Sequence, residues 1–192
     1  MGLIIKNAET KDRIEKEDTK RAIKDNEIIL VLVPNERYSE KINDIAGIAA
    51  SFGEKVCYVS TNKPYTTLMK NFEKDKTDTS KFCFIDCVTK SAAGSAAGGK
   101  VVCVSSPKAL TEMNIAMKKL LEANKPGITV FDSLSTLLIY EESSVVTRFV
   151  HSIISVFRSL GSKGVLIALK DEVKNELVKD LSMFVDKVVE MG

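Results

Sequence analysis

The chain has 192 residues, of which 44% are hydrophobic and 28% charged, and its formal net charge is +2. This size and balance are typical of one soluble globular domain, and the charge is too small to predict binding to nucleic acid or a membrane surface. No apolar run approaches the roughly 20 residues that span a bilayer. Met1–Lys6 contains only three consecutive apolar residues, so we expect no signal peptide and a cytoplasmic protein.

The first segment, residues 6–27, is dominated by charged residues of both signs, a pattern that predicts a solvated helix. We therefore divide the chain into a charged helical extension, residues 1–27, and a domain, residues 28–192. The apolar positions Ile14, Ala22 and Ile23 are too few to decide whether the extension packs on the domain.

Seven segments then read as β-strands, several of them continuous apolar runs without alternation, which is typical of parallel strands buried on both faces. They are Ile28–Val33, Val56–Ser60, Phe82–Val88, Val101–Val104, Ile128–Leu134, Val165–Leu169 and Val185–Met191.

Helical patterns lie between these strands. One follows Ser39, which can cap it; one opens at Ser106–Pro107; a third spans 146–160, with His151 on its solvent face; a fourth runs from Asp171 to Phe184. This alternation predicts an α/β fold, a mostly parallel sheet covered by helices on both faces.

The four cysteines, Cys57, Cys83, Cys87 and Cys103, lie in apolar stretches, where a free thiol behaves as a small hydrophobe. We expect buried, reduced core thiols. The spacing of Cys83 and Cys87 invites a metal site, but no second pair or nearby histidine completes one, so we predict no metal.

The stretch Ser91–Lys100 partly imitates a phosphate-binding loop, with Gly94, Gly99 and Lys100 at the motif's spacing. Such a loop must follow a strand and open a helix, whereas Lys100 precedes a predicted strand and has no Ser or Thr after it. We interpret the stretch as a flexible connection that does not contact phosphate.

A phosphate-binding loop belongs after the first buried strand, where the chain instead reads Pro34-Asn35-Glu36-Arg37-Tyr38-Ser39-Glu40-Lys41, without glycine. Counted without a gap, Glu40 takes the place of the motif's lysine and Lys41 that of its magnesium-binding hydroxyl. A carboxylate facing the β- and γ-phosphates would repel them.

The order of four later segments resembles the RecA/KaiC-like ATPases, over about residues 28–191. The segments are the strand entered through Gly53-Glu54-Lys55, the strand Ile128–Leu134 with its Asp132-Ser133, the helix and strand from Val145 to Leu169, and the closing strand with Asp186. The resemblance implies a three-layer α/β sandwich, with Asp132 and Ser133 at the Walker B position.

Members of that family bind ATP–magnesium and place a catalytic glutamate after the second strand, where this chain has Thr61-Asn62-Lys63-Pro64. The resemblance therefore implies a vestigial site, formed by Asp132, Ser133, Pro34, Glu40 and Lys41, without catalytic residues or a cofactor. We predict that Lys41 pairs with Asp132 in place of the metal. The alternative is a solvent-facing Lys41, with Asp132 satisfied by backbone N–H groups or Ser133.

Three functions are compatible with these features. The first is a non-catalytic interaction module that docks on another protein, either a catalytic paralogue or itself. The second is a nucleotide-binding protein with an unconventional site at Lys63, Lys41 or the glycine-rich connection. The third, a single-stranded nucleic-acid binder, is disfavoured by the near-neutral charge, the lack of Trp and the four Tyr.

Overall fold

Eight strands form one sheet in the computed structural model, which describes residues 2–89, 95–96, 99–173 and 175–192. They are β1 Ile28–Val33, β2 Val56–Ser60, β3 Phe82–Asp86, β4 Ser95–Ala96, β5 Val101–Cys103, β6 Ile128–Asp132, β7 Lys163–Leu169 and β8 Lys187–Glu190. The order across the sheet is β4-β5-β3-β2-β6-β7-β1-β8, and all neighbours are parallel except the short β4.

Helices cover both faces of this sheet. They are α1 Gly2–Asp25, α2 Tyr38–Ser51, α3 Tyr65–Lys74, α4 Leu110–Asn124, α5 Leu134–Leu137, α6 Ser143–Ser159 and α7 Asn175–Leu181. Buried side chains of α1, α2 and α3 share one apolar cluster with the sheet, and those of α4 to α7 share another on the opposite face. The predicted fold class, a mostly parallel sheet between two helical layers, is confirmed.

The strands β1 and β2 have the predicted bounds, but several other elements begin or end at different residues than predicted. The sixth strand stops at Asp132, because Leu134 already belongs to α5. Ser39 is not a helix cap: α2 begins at Tyr38, and its N-cap Arg37 makes no side-chain cap bond. The next predicted helix begins at Leu110 rather than Ser106–Pro107.

Two other predicted bounds were also too wide, since α7 spans only Asn175–Leu181 and the last strand only Lys187–Glu190. The helices α3 and α5 and the strand β4 were not predicted. The one histidine, His151, is exposed on α6 as expected, with its ring centroid 5.0 Å from that of Phe184.

The N-terminal helix α1 packs on the domain, a point that its sequence left undecided. Thr19, Ala22 and Ile23 are buried, and α1 contacts α2, β1 and β8. Because Ala22 and Ile23 belong to the apolar cluster on one face of the sheet, α1 forms part of the helical layer on that face.

All four cysteines are buried, as predicted. Cys57 and Cys83 are register partners in β2 and β3, while Cys87 follows the end of β3 and Cys103 ends β5. The predicted flexible connection Ser91–Lys100 lies mostly outside the described residues. Lys100 is described and directly precedes β5, as expected.

Within the described ranges, no helix is both long and apolar enough to cross a membrane. Across the same ranges, no three His, Cys, Asp or Glu side chains converge as ligands for a metal ion.

Candidate functional site

A topological switch point lies at the carboxyl edge of the sheet, where the chain leaves neighbouring strands toward opposite faces. From β2 it passes to α3 on one face, and from the adjacent β6 it passes to α5 and α6 on the other. Open α/β sheets bind ligands at such switch points. Asp132 lies here, at the end of β6, and Ser60 ends β2 beside it.

The Asp132 carboxylate is fully buried and bonded to two tyrosines. Tyr38, the first residue of α2, donates from its hydroxyl to Oδ1 at 2.6 Å, and Tyr58, in the middle of β2, donates to Oδ2 at 2.8 Å. Burial raises the pKa of Asp132 to about 6, although the two tyrosine hydrogen bonds act in the opposite direction. Both carboxylate oxygens are therefore engaged by hydroxyl groups of the chain itself.

Neighbouring polar side chains extend this hydrogen-bond network. Asn62 donates from Nδ2 to the Tyr38 hydroxyl at 2.8 Å and to Ser133 Oγ at 3.2 Å. Thr61 Oγ1 accepts from the Ser133 backbone N–H at 2.9 Å, and Thr136 donates to the Asn62 side-chain oxygen. The buried Ser133 thus contributes to a closed set of internal hydrogen bonds.

The predicted degenerate loop joins β1 to α2 without forming a cradle for an anion. Pro34 follows β1, and Asn35–Arg37 form one 3₁₀ turn before α2. Glu40 lies on the exposed side of α2, where Arg37 donates to its carboxylate at 2.5 and 3.2 Å. That hydrogen bond holds the pKa of Glu40 below its ordinary value. Arg37 also donates to Asp12 at 2.7 Å.

Lys41 does not pair with Asp132, so that prediction is wrong. Its side chain is fully buried beneath α1, and Nζ lies 2.9 Å from Glu15 Oε2 and 3.2 Å from Asp12 Oδ1. Burial acts to lower the pKa of Lys41, but the hydrogen bonds to Glu15 and Asp12 outweigh it and leave that pKa raised. The alternative is wrong too. Lys41 does not face solvent, because α1 supplies two carboxylates that pair with it. Asp132 is bonded to tyrosine hydroxyls in place of the expected backbone N–H groups or Ser133.

Lys63, which the sequence offered as part of an unconventional nucleotide site, is half-buried beside Tyr38. Its Nζ donates to Ser39 Oγ at 2.9 Å and lies 5.3 Å from the centroid of the Tyr38 ring. Tyr38 and Tyr58 are the site residues that sequence reasoning missed. A signal existed for Tyr58, because the hydroxyl of a tyrosine in a buried strand needs a partner.

These residues do not fit a magnesium–nucleotide. The turn after β1 contains no glycine, Glu40 pairs with Arg37, and Lys41 is buried under α1. The hydroxyls of Tyr38 and Tyr58 already bond to both oxygens of Asp132, the carboxylate that a metal would need.

A second feature of this edge is the exposed loop between α5 and α6, which we call the edge loop, residues 138–142. Ile139 is 71% exposed and Tyr140 52% exposed. The edge loop, which includes Glu141 and Glu142, lines a groove of about 590 Å³ together with Ser143 and Glu172. Glu172 in turn accepts a hydrogen bond from Asn35 at 3.3 Å, so the groove adjoins the degenerate loop.

One protein family, described as a family of unknown function (DUF7504), matches residues 33–191. The match extends from the end of β1 to just beyond β8 and so includes Asp132, its two tyrosine partners and the edge loop. Comparison with curated proteins gave no match.

Proposed function

We propose that this chain, which belongs to the DUF7504 family of unknown function, is a non-catalytic, RecA/KaiC-like protein-interaction module of the cytoplasm, a pseudo-ATPase. The observation that carries the proposal is the 2.6 Å hydrogen bond from Tyr38 to Asp132. It joins the start of α2 to the end of β6, the two elements between which a phosphate and its metal would lie in an ATPase of this fold.

Electrostatics at the same edge also support loss of nucleotide binding. Glu36 is exposed within the degenerate loop, and Glu141, Glu142 and Glu172 line the adjoining groove. Carboxylates placed this way repel the phosphates of a nucleotide or of a nucleic acid.

The edge loop is the docking surface that we assign to this module. Two large apolar side chains, Ile139 and Tyr140, are exposed side by side and bordered by acidic groups. A surface of this kind suits a protein partner that presents an apolar side chain flanked by lysine or arginine. A catalytic paralogue or a second copy of the chain would be such a partner.

Titration with ATP–magnesium tests the loss of nucleotide binding. We expect no change in the melting temperature, whereas a ligand at 100 times its Kd stabilises a fold by about 2.7 kcal/mol. An upward shift with millimolar ATP–magnesium, absent with equimolar sulfate, contradicts the proposal. If that shift also disappears in Lys63→Gln, the second candidate, a nucleotide-binding protein with an unconventional site at Lys63, is the correct one.

Site-specific photo-crosslinking in cells tests the docking surface. A benzophenone amino acid at position 140 should capture a discrete protein adduct, because Tyr140 projects from the edge loop. Position 115 is the matched control, since Ile115 is also 52% exposed but lies on α4. Equal capture at both positions, or none at position 140, contradicts the assignment.

A further inference from the structure

The opposite, amino edge of the sheet carries a cluster of lysines around one thiol. Lys55, Lys81 and Lys100 directly precede β2, β3 and β5, which are adjacent parallel strands, so all three lie at the same edge. Together with Cys83 they line a small cavity of about 60 Å³. Cys83 is only 3% exposed, and this cavity is its approach from the lysine-lined surface.

A second thiol lies beside Cys83 inside the sheet. Cys57 of β2 is its register partner, and both side chains belong to the core cluster on the α4–α7 face. Neighbouring strands are about 4.8 Å apart. Disulfide-bonded cysteines have Cα atoms about 4.4–6.8 Å apart, so the pair can be bridged within the sheet.

The two thiols have unequal acidity. The Cys83 Sγ donates a weak hydrogen bond to the Val56 carbonyl at 3.6 Å. Interaction with the Cys57 side chain, assisted by the charges of Lys55 and Lys100, lowers the pKa of Cys83 against the effect of burial. Interaction with Cys83 and complete burial raise the pKa of Cys57. Low-pKa thiols in electropositive surroundings are the reactive ones, because the thiolate is the nucleophile.

Cys87 provides an internal contrast. It lies just beyond β3, where burial and the neighbouring Asp86 raise the pKa of its thiol. It is not among the residues that line the lysine cavity.

We propose that Cys83 is a peroxide-reactive thiol and that Cys57 is its resolving partner. The Cys83 thiolate attacks the terminal oxygen of a hydroperoxide: an S–O bond forms, the O–O bond breaks, and the departing alkoxide or hydroxide takes up a proton. Cys57 then loses its proton and attacks the Cys83 sulfur, so that an S–S bond forms and hydroxide leaves as water. The two thiols together lose two electrons and two protons, and an organic hydroperoxide is reduced to an alcohol and water, or hydrogen peroxide to two waters.

Differential alkylation with peptide mass spectrometry tests this site in the full chain. After brief exposure to hydrogen peroxide at pH 7, Cys57 and Cys83 should lose reactivity together, at least tenfold faster than Cys87, and recover with dithiothreitol. In Cys57→Ala the reaction should stop at the Cys83 sulfenic acid, which dimedone traps. Cys87→Ala is the matched control and should react like the natural chain.

Variants at exposed lysines of the same edge should not disturb folding, so they test the site independently of the cysteine variants. Lys55→Gln and Lys100→Gln change exposed side chains and should slow oxidation of Cys83 several-fold, while shifting the midpoint of its pH–rate profile upward. Oxidation of Cys83 no faster than that of Cys87 would overturn the proposal. So would oxidation without a Cys57–Cys83 disulfide, or unchanged rates in both lysine variants.

Discussion

Asp132 places a carboxylate where water cannot solvate it, at the end of a strand buried on both faces. Two tyrosine hydroxyls compensate in part for the lost hydration, and the pKa still rises from 3.8 to about 6. The folded state thus binds this proton more tightly than the unfolded chain does. The stabilising contribution is complete below about pH 4 and is lost as the pH rises through about 6.

Asp132→Asn should therefore remove part of the pH dependence of stability. Between pH 4 and pH 6.5, the free energy of unfolding of the natural chain should fall by about 2–3 kcal/mol relative to the variant, since each pKa unit corresponds to about 1.4 kcal/mol. Urea titrations at both pH values measure this difference. Tyr38→Phe removes a hydrogen bond that favours the charged carboxylate, so it should move the same loss to higher pH. Parallel pH profiles for all three proteins would contradict this account.

At the scale of elements, α1 is fastened to α2 through a buried ion pair. Lys41 and Glu15 should show a coupling of about 1–3 kcal/mol in a double-mutant cycle with Lys41→Met and Glu15→Gln, because the Lys41 side chain has no contact with water. Lys16 and Asp44 are the control pair, with Lys16 45% exposed, and should couple by less than about 1 kcal/mol. Urea unfolding measures both cycles, and equal couplings would count against the buried pair.

Alanine substitutions at two glycines distinguish the effect of side-chain packing on stability from the effect of backbone entropy. Gly164 of β7 lies opposite Ile28, and a Cβ there would approach Ile28 Cδ1 and Phe157 Cδ2 to 2.8 Å. Gly164→Ala should therefore destabilise the chain by about 1–3 kcal/mol. Gly47→Ala, inside α2, would meet only Thr77 Oγ1 at 3.4 Å and should stabilise it by about 0.5–1 kcal/mol. Thermal unfolding compares the two, and shifts of the same sign would refute the distinction.

At the scale of the molecule, α1 is needed to complete one of the two helical layers. Deletion of residues 1–25 would expose Lys41, which now lies beneath α1, and would uncover the apolar side chains that Ala22 and Ile23 cover. Burial of apolar surface contributes about 25 cal/mol per Å², so the shortened chain should unfold at a lower temperature or aggregate through the uncovered surface. Circular dichroism and sedimentation velocity can measure both. If the shortened chain is monomeric and its stability is unchanged, α1 is not needed to complete the layer and is only an extension.

The sequence by itself determined the layered α/β architecture, because the continuous apolar runs and the helical spacing are local patterns whose period depends only on backbone geometry. It also identified the glycine-free turn after β1 and the burial of the cysteines. Only the tertiary structure determined which side chains pair with Asp132 and with Lys41. Tyr38 lies 94 residues from Asp132, and Glu15 lies 26 from Lys41. Such pairs depend on the strand order and on where α1 packs, and neither follows from the pattern of any one segment.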